Sequence, residues 1–222
     1  MMVGHYAVSL ALKKADKQIS LGMLFLAVQF VDILFLPFVL IGVEHYNIVE
    51  NFTASTHFDL YFMPYTHSLL AAFFWATGIF LLVRILLLKD IKNKNKIAIL
   101  MGLAVLSHWF LDLIVHISDL PLLLNDNSAK VGFGLWNSAI GTYGLEAALL
   151  LIGLVIYLKS TTGTTFIGKF GMIIFVAFLI IMNINNIFGP PLVNDTTTMS
   201  ILGLLMYFSF AGIAFWLDRK RN

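Results

Sequence analysis

Six stretches of this chain are long, apolar and nearly free of charge, and they restrict the fold more than any other feature. They run at about Leu21 to Val43, Ser68 to Leu88, Ile97 to Val115, Gly141 to Leu158, Phe166 to Phe188 and Ser200 to Leu217, each with no more than one Asp, Glu, Lys or Arg. A helix needs about 20 such residues to cross the hydrocarbon layer of a bilayer. The whole chain is 12% charged, whereas soluble domains carry about 25%. The expected fold is therefore all-α: a polytopic membrane helix bundle of about six transmembrane helices, forming one transmembrane domain over residues 1–222. The lipid bilayer is its first partner. A net charge of +2, with no basic patch interleaved with aromatics, argues against a nucleic-acid partner.

Basic residues in short loops stay on the cytoplasmic side, and here they alternate along the chain. Lys13, Lys14 and Lys17 precede the first span. Lys89, Lys92, Lys94 and Lys96 separate the second from the third, Lys159 and Lys169 flank the next inner loop, and Arg219, Lys220 and Arg221 close the chain. The opposite loops, about Glu44 to Thr66, Asn125 to Ile140 and Gly189 to Thr198, hold Lys130 as their one cation. This pattern places both termini in the cytoplasm, with Arg84 snorkelling from the second span to the inner interface. The opening residues lack a basic n-region and a cleavage site, so no removable signal peptide is expected. Gly4 to Leu12 is apolar but only about 14 Å long as a helix, which suits either a half-span or an interfacial helix.

Ionisable groups inside spans cost roughly 2.5 to 3.5 kcal/mol each on insertion scales, and they normally face a protein interior with a partner. Here they are Asp32 in the first span, His67 at the start of the second, His108 and Asp112 in the third, and Glu146 early in the fourth. His108, Asp112 and His116 are spaced i, i+4 and i+8, so they share one helix face. Imidazole and carboxylate suit zinc and other first-row divalent ions. Cysteine is absent, so no thiolate site exists. The alternative is a His and an Asp that simply hydrogen-bond within the bundle. At about 1.5 Å per residue, Asp32 comes out about 18 Å from Ser20, His108 about 18 Å and Asp112 about 24 Å from Lys96, and Glu146 about 20 Å from Lys159. A half-helix would put His5 about 12 Å deep, and His67 and His116 fall near 30 Å. One cavity from mid-membrane toward the outer leaflet fits all of these depths.

Gly4-His5, Asp32, Thr66-His67-Ser68 and Ser107-His108-x-x-x-Asp112 together resemble the membrane-bound metal-dependent hydrolases of bacterial inner membranes, over roughly the first 120 residues. The resemblance implies a divalent metal, zinc by preference, held by His5, Asp32, His67, His108 and Asp112, and a place in the cell's inner or plasma membrane. The chain departs from the family pattern where Asp32 is followed by Ile33, Leu34 and Phe35 instead of a second acid and a histidine. It departs again where Pro64-Tyr65 stands in place of an arginine. The first departure argues against a two-metal centre, and the second against a phosphate-containing substrate. Glu44 and His45 are read as a solvated interfacial pair that could otherwise supply the missing ligands.

Three function classes follow. One is a metal-dependent hydrolase whose metal site is drawn from residues 1–120 plus Glu146. Its ligands would come from His5, Asp32, His67, His108, Asp112 and His116, its proton carrier would be Glu146 or Asp112, and its substrate would be a lipidic small molecule. Another is a transporter or ion-coupled protein that uses the same buried groups as a path, for which the short opening helix and Asn183-Ile184-Asn185-Asn186 before Gly189-Pro190-Pro191 are hints. The last is a scaffold that keeps the cluster for packing. His57 and Asp59 are expected in solvent, Asp119 behind His116, and Trp136 as an interfacial anchor.

Overall fold

The computed structural model describes residues 1–87, 93–125 and 127–221. Lys89, Lys92 and the expected end of the second span at Leu88 lie outside the described residues. Among the described residues, four helices are long and apolar enough to cross a membrane: α6 (Lys94–Val115), α7 (Ala139–Ser160), α8 (Phe166–Phe188) and α9 (Thr196–Asp218). The last three begin at Ser138, Thr165 and Asp195, whose side chains accept from the backbone N–H three residues on. Such caps satisfy donors that a helix start leaves open. Outward faces carry Phe74, Ile152, Ile181 and Leu205, all exposed. That pattern suits lipid contact and not water.

The first expected span is a bent pair. α2 (Leu21–Val28) and α3 (Phe30–Leu40) meet at Gln29 with a 54° bend, and the two together qualify as a fifth crossing segment. Gln29 is fully buried and its amide donates to the Met2 carbonyl at 2.9 Å. The bend thus sits where a polar side chain binds another part of the backbone. It also leaves the last carbonyls of α2 without intrahelical partners, which matters for the site. The second expected span is described as far as Leu87. α5 (Leu69–Leu82) runs into a π-helical turn at Val83–Leu87, and its apolar helix covers Leu69–Ile85. Near its end, Arg84 Nε donates to Asn95 Oδ1 at 2.9 Å.

α1 (Tyr6–Leu12) lies inside the bundle and not on its surface. Tyr6 and Leu10 are buried, and the helix packs on α7, α2 and α6. Its closest approach is to Gly153 of α7, where an added Cβ would meet the Ala7 carbonyl oxygen at 2.6 Å and Ala7 Cα at 2.9 Å. Small residues allow such backbone contacts between membrane helices. The C-terminal end of α1 is tied to that of α9: Lys13 Nζ reaches Asp218 Oδ2 at 2.6 Å, and the Tyr157 hydroxyl donates to Asp218 Oδ1 at 3.0 Å. A buried lysine and aspartate so placed neutralise one another. With Lys13 at that end, His5 projects toward the middle of the bundle.

The segment between the first two spans is not a plain loop. β1 (His45–Ile48) and β2 (Phe58–Phe62) form an antiparallel hairpin, followed by the short helix α4 (Pro64–His67). A second small pair, β3 (Leu120–Pro121) with β4 (Lys130–Val131), lies after α6. Runs this short carry too little alternation to be recognised as strands.

The Gly153→Val protein is expected to lose stability equivalent to about 1–3 kcal/mol, because the facing group is backbone and cannot rotate away. Thermal unfolding in detergent reads this as a lowered midpoint. An unchanged midpoint would mean that α1 is not seated on α7.

Candidate metal centre

Four elements bring the buried acids and histidines together. α6 presents His108, Asp112 and, at its C-terminal cap, His116, all about 1% exposed. His5 sits just ahead of α1, Asp32 in the first turn of α3, and His67 at the end of α4. Hydrogen bonds from the Val3 and Gly4 N–H groups to Glu146 Oε2, at 2.8 and 2.9 Å, hold the segment that leads into His5.

The donor atoms converge. His108 Nε2 lies 2.9 Å from Asp112 Oδ2 and 3.6 Å from Asp32 Oδ1. His5 Nε2 is 3.1 Å from Asp112 Oδ1, and His67 Nε2 is 3.1 Å from Asp32 Oδ1. The His5 and His108 rings stack with centroids 3.8 Å apart. Two triads result, His5–His108–Asp112 and Asp32–His67–His108, each with its ligand atoms within 4.8 Å of one another. His108 belongs to both. Zinc bonds of about 2.0–2.1 Å imply a tetrahedral edge of about 3.3 Å, and the observed separations fall on either side of it. The Met1 amino group also reaches Asp112 Oδ1, at 2.6 Å.

Proton bookkeeping shows what the cluster lacks. Val28 closes α2, and its free carbonyl oxygen lies 2.7 Å from His108 Nδ1. A carbonyl only accepts, so Nδ1 carries the proton and Nε2 of the neutral ring has a lone pair. That Nε2 has no hydrogen-bond partner among the described residues, although two carboxylates face it. Acceptors facing acceptors in a dry interior require a cation between them. A proton on Nε2 or a divalent ion meets that need, and the mixed imidazole and carboxylate set suits a first-row ion. These residues therefore fit a metal.

Five of the six expected ligands share the two triads. His116 is in neither. Its Nε2 is 3.6 Å from Asp112 Oδ2, and its Nδ1 is paired with Asp119 Oδ1 at 2.9 Å, so Asp119 does stand behind it. Glu146 is also outside them, bound to backbone N–H groups. Several outer residues lie elsewhere than expected. Glu44 is fully buried and not solvated, because the hairpin turns it onto the start of α4. His57 is buried beneath the loop after α8, with Nε2 donating to the Gly189 carbonyl at 2.9 Å and Nδ1 accepting from the Asn51 N–H. Trp136 is buried against the His116 ring, 3.9 Å between centroids, instead of lying at the interface. Tyr207 of α9, unmarked by any local pattern, donates to Asp32 Oδ2 at 2.9 Å. Outside the spans, burial raises the pKa of the Glu44 carboxyl, opposed by His67 and by the donors of Tyr65 and Thr66.

No protein-family model, curated protein or solved structure matches the chain.

Replacing Asp32 by asparagine separates the two needs of this cluster. In Asp32→Asn the amide oxygen can still accept from Tyr207, while the amide N–H₂ can donate to the His67 lone pair. The metal-free protein is expected to gain about 1 kcal/mol, seen as a raised thermal midpoint, while zinc affinity falls. A lowered midpoint without metal would mean that the carboxylate is already satisfied by a proton.

Proposed function

We propose that this chain is a metal-dependent hydrolase of the membrane, binding one divalent cation, zinc by preference, through His5, Asp32, His67, His108 and Asp112. The observation that carries the reading is the His108 Nε2 lone pair, buried and facing the carboxylates of Asp32 and Asp112. The hydrolytic assignment draws on the resemblance carried by the His and Asp positions of the first 120 residues. When bound, such an ion polarises a carbonyl oxygen and makes water a competent nucleophile near neutral pH. Asp112 presents one oxygen to His5 and the other to His108 and His116, which suits a ligand that keeps the donor set together. Glu146 is left outside the donor set as the carboxylate available to hold a proton, bound to the N–H groups of Val3 and of Gly4, the residue next to His5.

In this reading α5 completes a six-span topology with both termini in the cytoplasm of a bacterial cell, and the protein sits in the inner membrane. A lipidic substrate suits a centre enclosed by apolar helices. In support, a cavity of about 130 Å³ between the outer parts of α8 and α9 is lined by Met182, Met199 and Met206 and reaches Met2, next to the segment that carries His5. Methionine linings adapt to varied apolar ligands.

The bent α2–α3 pair and the buried half-helix α1 favour a second reading, an ion-coupled transporter, because broken helices near mid-membrane are common in such proteins. Elemental analysis of detergent-purified protein separates the two. The hydrolase reading expects about one divalent ion per chain, lost in His108→Ala and Asp112→Ala, with metal-dependent cleavage of a lipid ester in the wild type alone. No metal above background, after purification without chelator and with zinc added back, would overturn it and put the transporter first.

A further inference from the structure

The outer hairpin buries Glu44, an acid that the sequence reads as solvated. Pairing of His45 with Phe62 brings Glu44, just before β1, level with the start of α4, just after β2. The buried carboxylate accepts three hydrogen bonds there. Oε1 takes the N–H groups of Tyr65 and Thr66, at 2.8 and 3.0 Å, and Oε2 takes the Thr66 hydroxyl at 2.7 Å. A hydroxyl has one proton to give. With that proton directed to Glu44, Thr66 Oγ1 meets His67 Nδ1, 2.8 Å away, as an acceptor. The proton of the neutral His67 ring is then on Nδ1, and its lone pair on Nε2 points to Asp32 Oδ1, 3.1 Å away.

We infer that Glu44, acting through Thr66, is a positioning residue that sets the tautomer and orientation of His67 so that its Nε2 faces the candidate metal centre. The arrangement recurs at His108, whose Nδ1–H donates to the Val28 carbonyl, and outside the donor set at His116, whose Nδ1 pairs with the Asp119 carboxylate, whereas His5 Nδ1 has no partner among the described residues. Histidines that bind metals commonly have the second ring nitrogen fixed in this way, and loss of the outer partner typically costs 10–100-fold in metal affinity. The consequence for affinity rests on the metal-site reading; the tautomer is a property of the metal-free protein and does not.

The test combines two measurements on detergent-solubilised full-length protein. Nitrogen-15 NMR of histidine-labelled, metal-free protein, with the His67 signal assigned by His67→Gln, is expected to show Nδ1–H in the wild type and in Thr66→Ser. In Glu44→Gln the two backbone donors claim the amide oxygen and the N–H₂ faces Thr66. The hydroxyl proton then turns to His67 Nδ1, and the ring should switch to Nε2–H. Thr66→Val should lose the Nδ1–H preference. Zinc affinity, measured by competition with a chromophoric chelator, should fall about tenfold to a hundredfold in Glu44→Gln and Thr66→Val and match wild type in Thr66→Ser. A wild-type His67 ring with no proton on Nδ1 overturns the inference, as does an equal loss of affinity in Thr66→Ser and Thr66→Val. If the wild type binds no zinc, the metal-centre reading fails and the NMR tautomer alone decides the role of Glu44. If Thr66→Val does not fold, wild type and Thr66→Ser decide it.

Discussion

Burying charge in a membrane protein is costly unless each charge has a partner, and the architecture of this chain follows from how that requirement is met. Asp32 and Asp112 cannot sit among apolar helices alone. They draw in His5, His67 and His108, and Tyr207 closes the remaining side of Asp32. Those contacts join α1, α3, α4, α6 and α9, so the polar cluster also works as a tie between helices whose other contacts are apolar. A second such tie, Lys13 with Asp218 and Tyr157, lies toward the opposite ends of α1 and α9. α1 is held at both ends by polar contacts and along its length by close packing on Gly153.

Irregular backbone is placed where it has a use. The break at Gln29 leaves the Val28 carbonyl free to accept from the His108 Nδ1–H. The gap between α4 and α5 at Ser68 puts His67 at a helix end, where its ring can point inward, and Ser68 itself caps α5 by accepting from the Ala71 N–H. Within a bilayer, non-helical backbone is tolerated where protein covers it, and both breaks are covered. At Gln29 the covering contact is the Met2 backbone, and the outer hairpin delivers Glu44 to the start of α4.

Much of the site was legible because insertion cost makes every intramembrane acid or histidine conspicuous. The i, i+4, i+8 spacing put His108, Asp112 and His116 on one face, and the depth estimates grouped Asp32 with His108, whereas they placed His67, which meets Asp32 at 3.1 Å, about 12 Å farther out. Position along the helix did not separate ligand from neighbour: His116 shares the face yet enters neither triad, and Glu146 shares the depth yet binds backbone N–H groups. Glu44, His57 and Trp136 look like interfacial residues from hydropathy alone. They are buried because two short hairpins and the loop after α8 fold over the outer end of the bundle.

What the sequence determined by itself is the membrane character of the chain and the identity of the ionisable residues within its spans. Apolar length and the scarcity of charge are local properties, and the bilayer imposes the same solvation penalty on a span wherever its neighbours lie. Only the tertiary structure decided which groups meet, where the first span bends and which nitrogen of each imidazole faces the cluster. These depend on contacts such as Glu44 with Thr66, Asp32 with Tyr207 and His108 with Val28, between residues 22, 175 and 80 positions apart. A hydrogen bond is directional over a few tenths of an ångström, and no pattern along the chain encodes a distance of that kind.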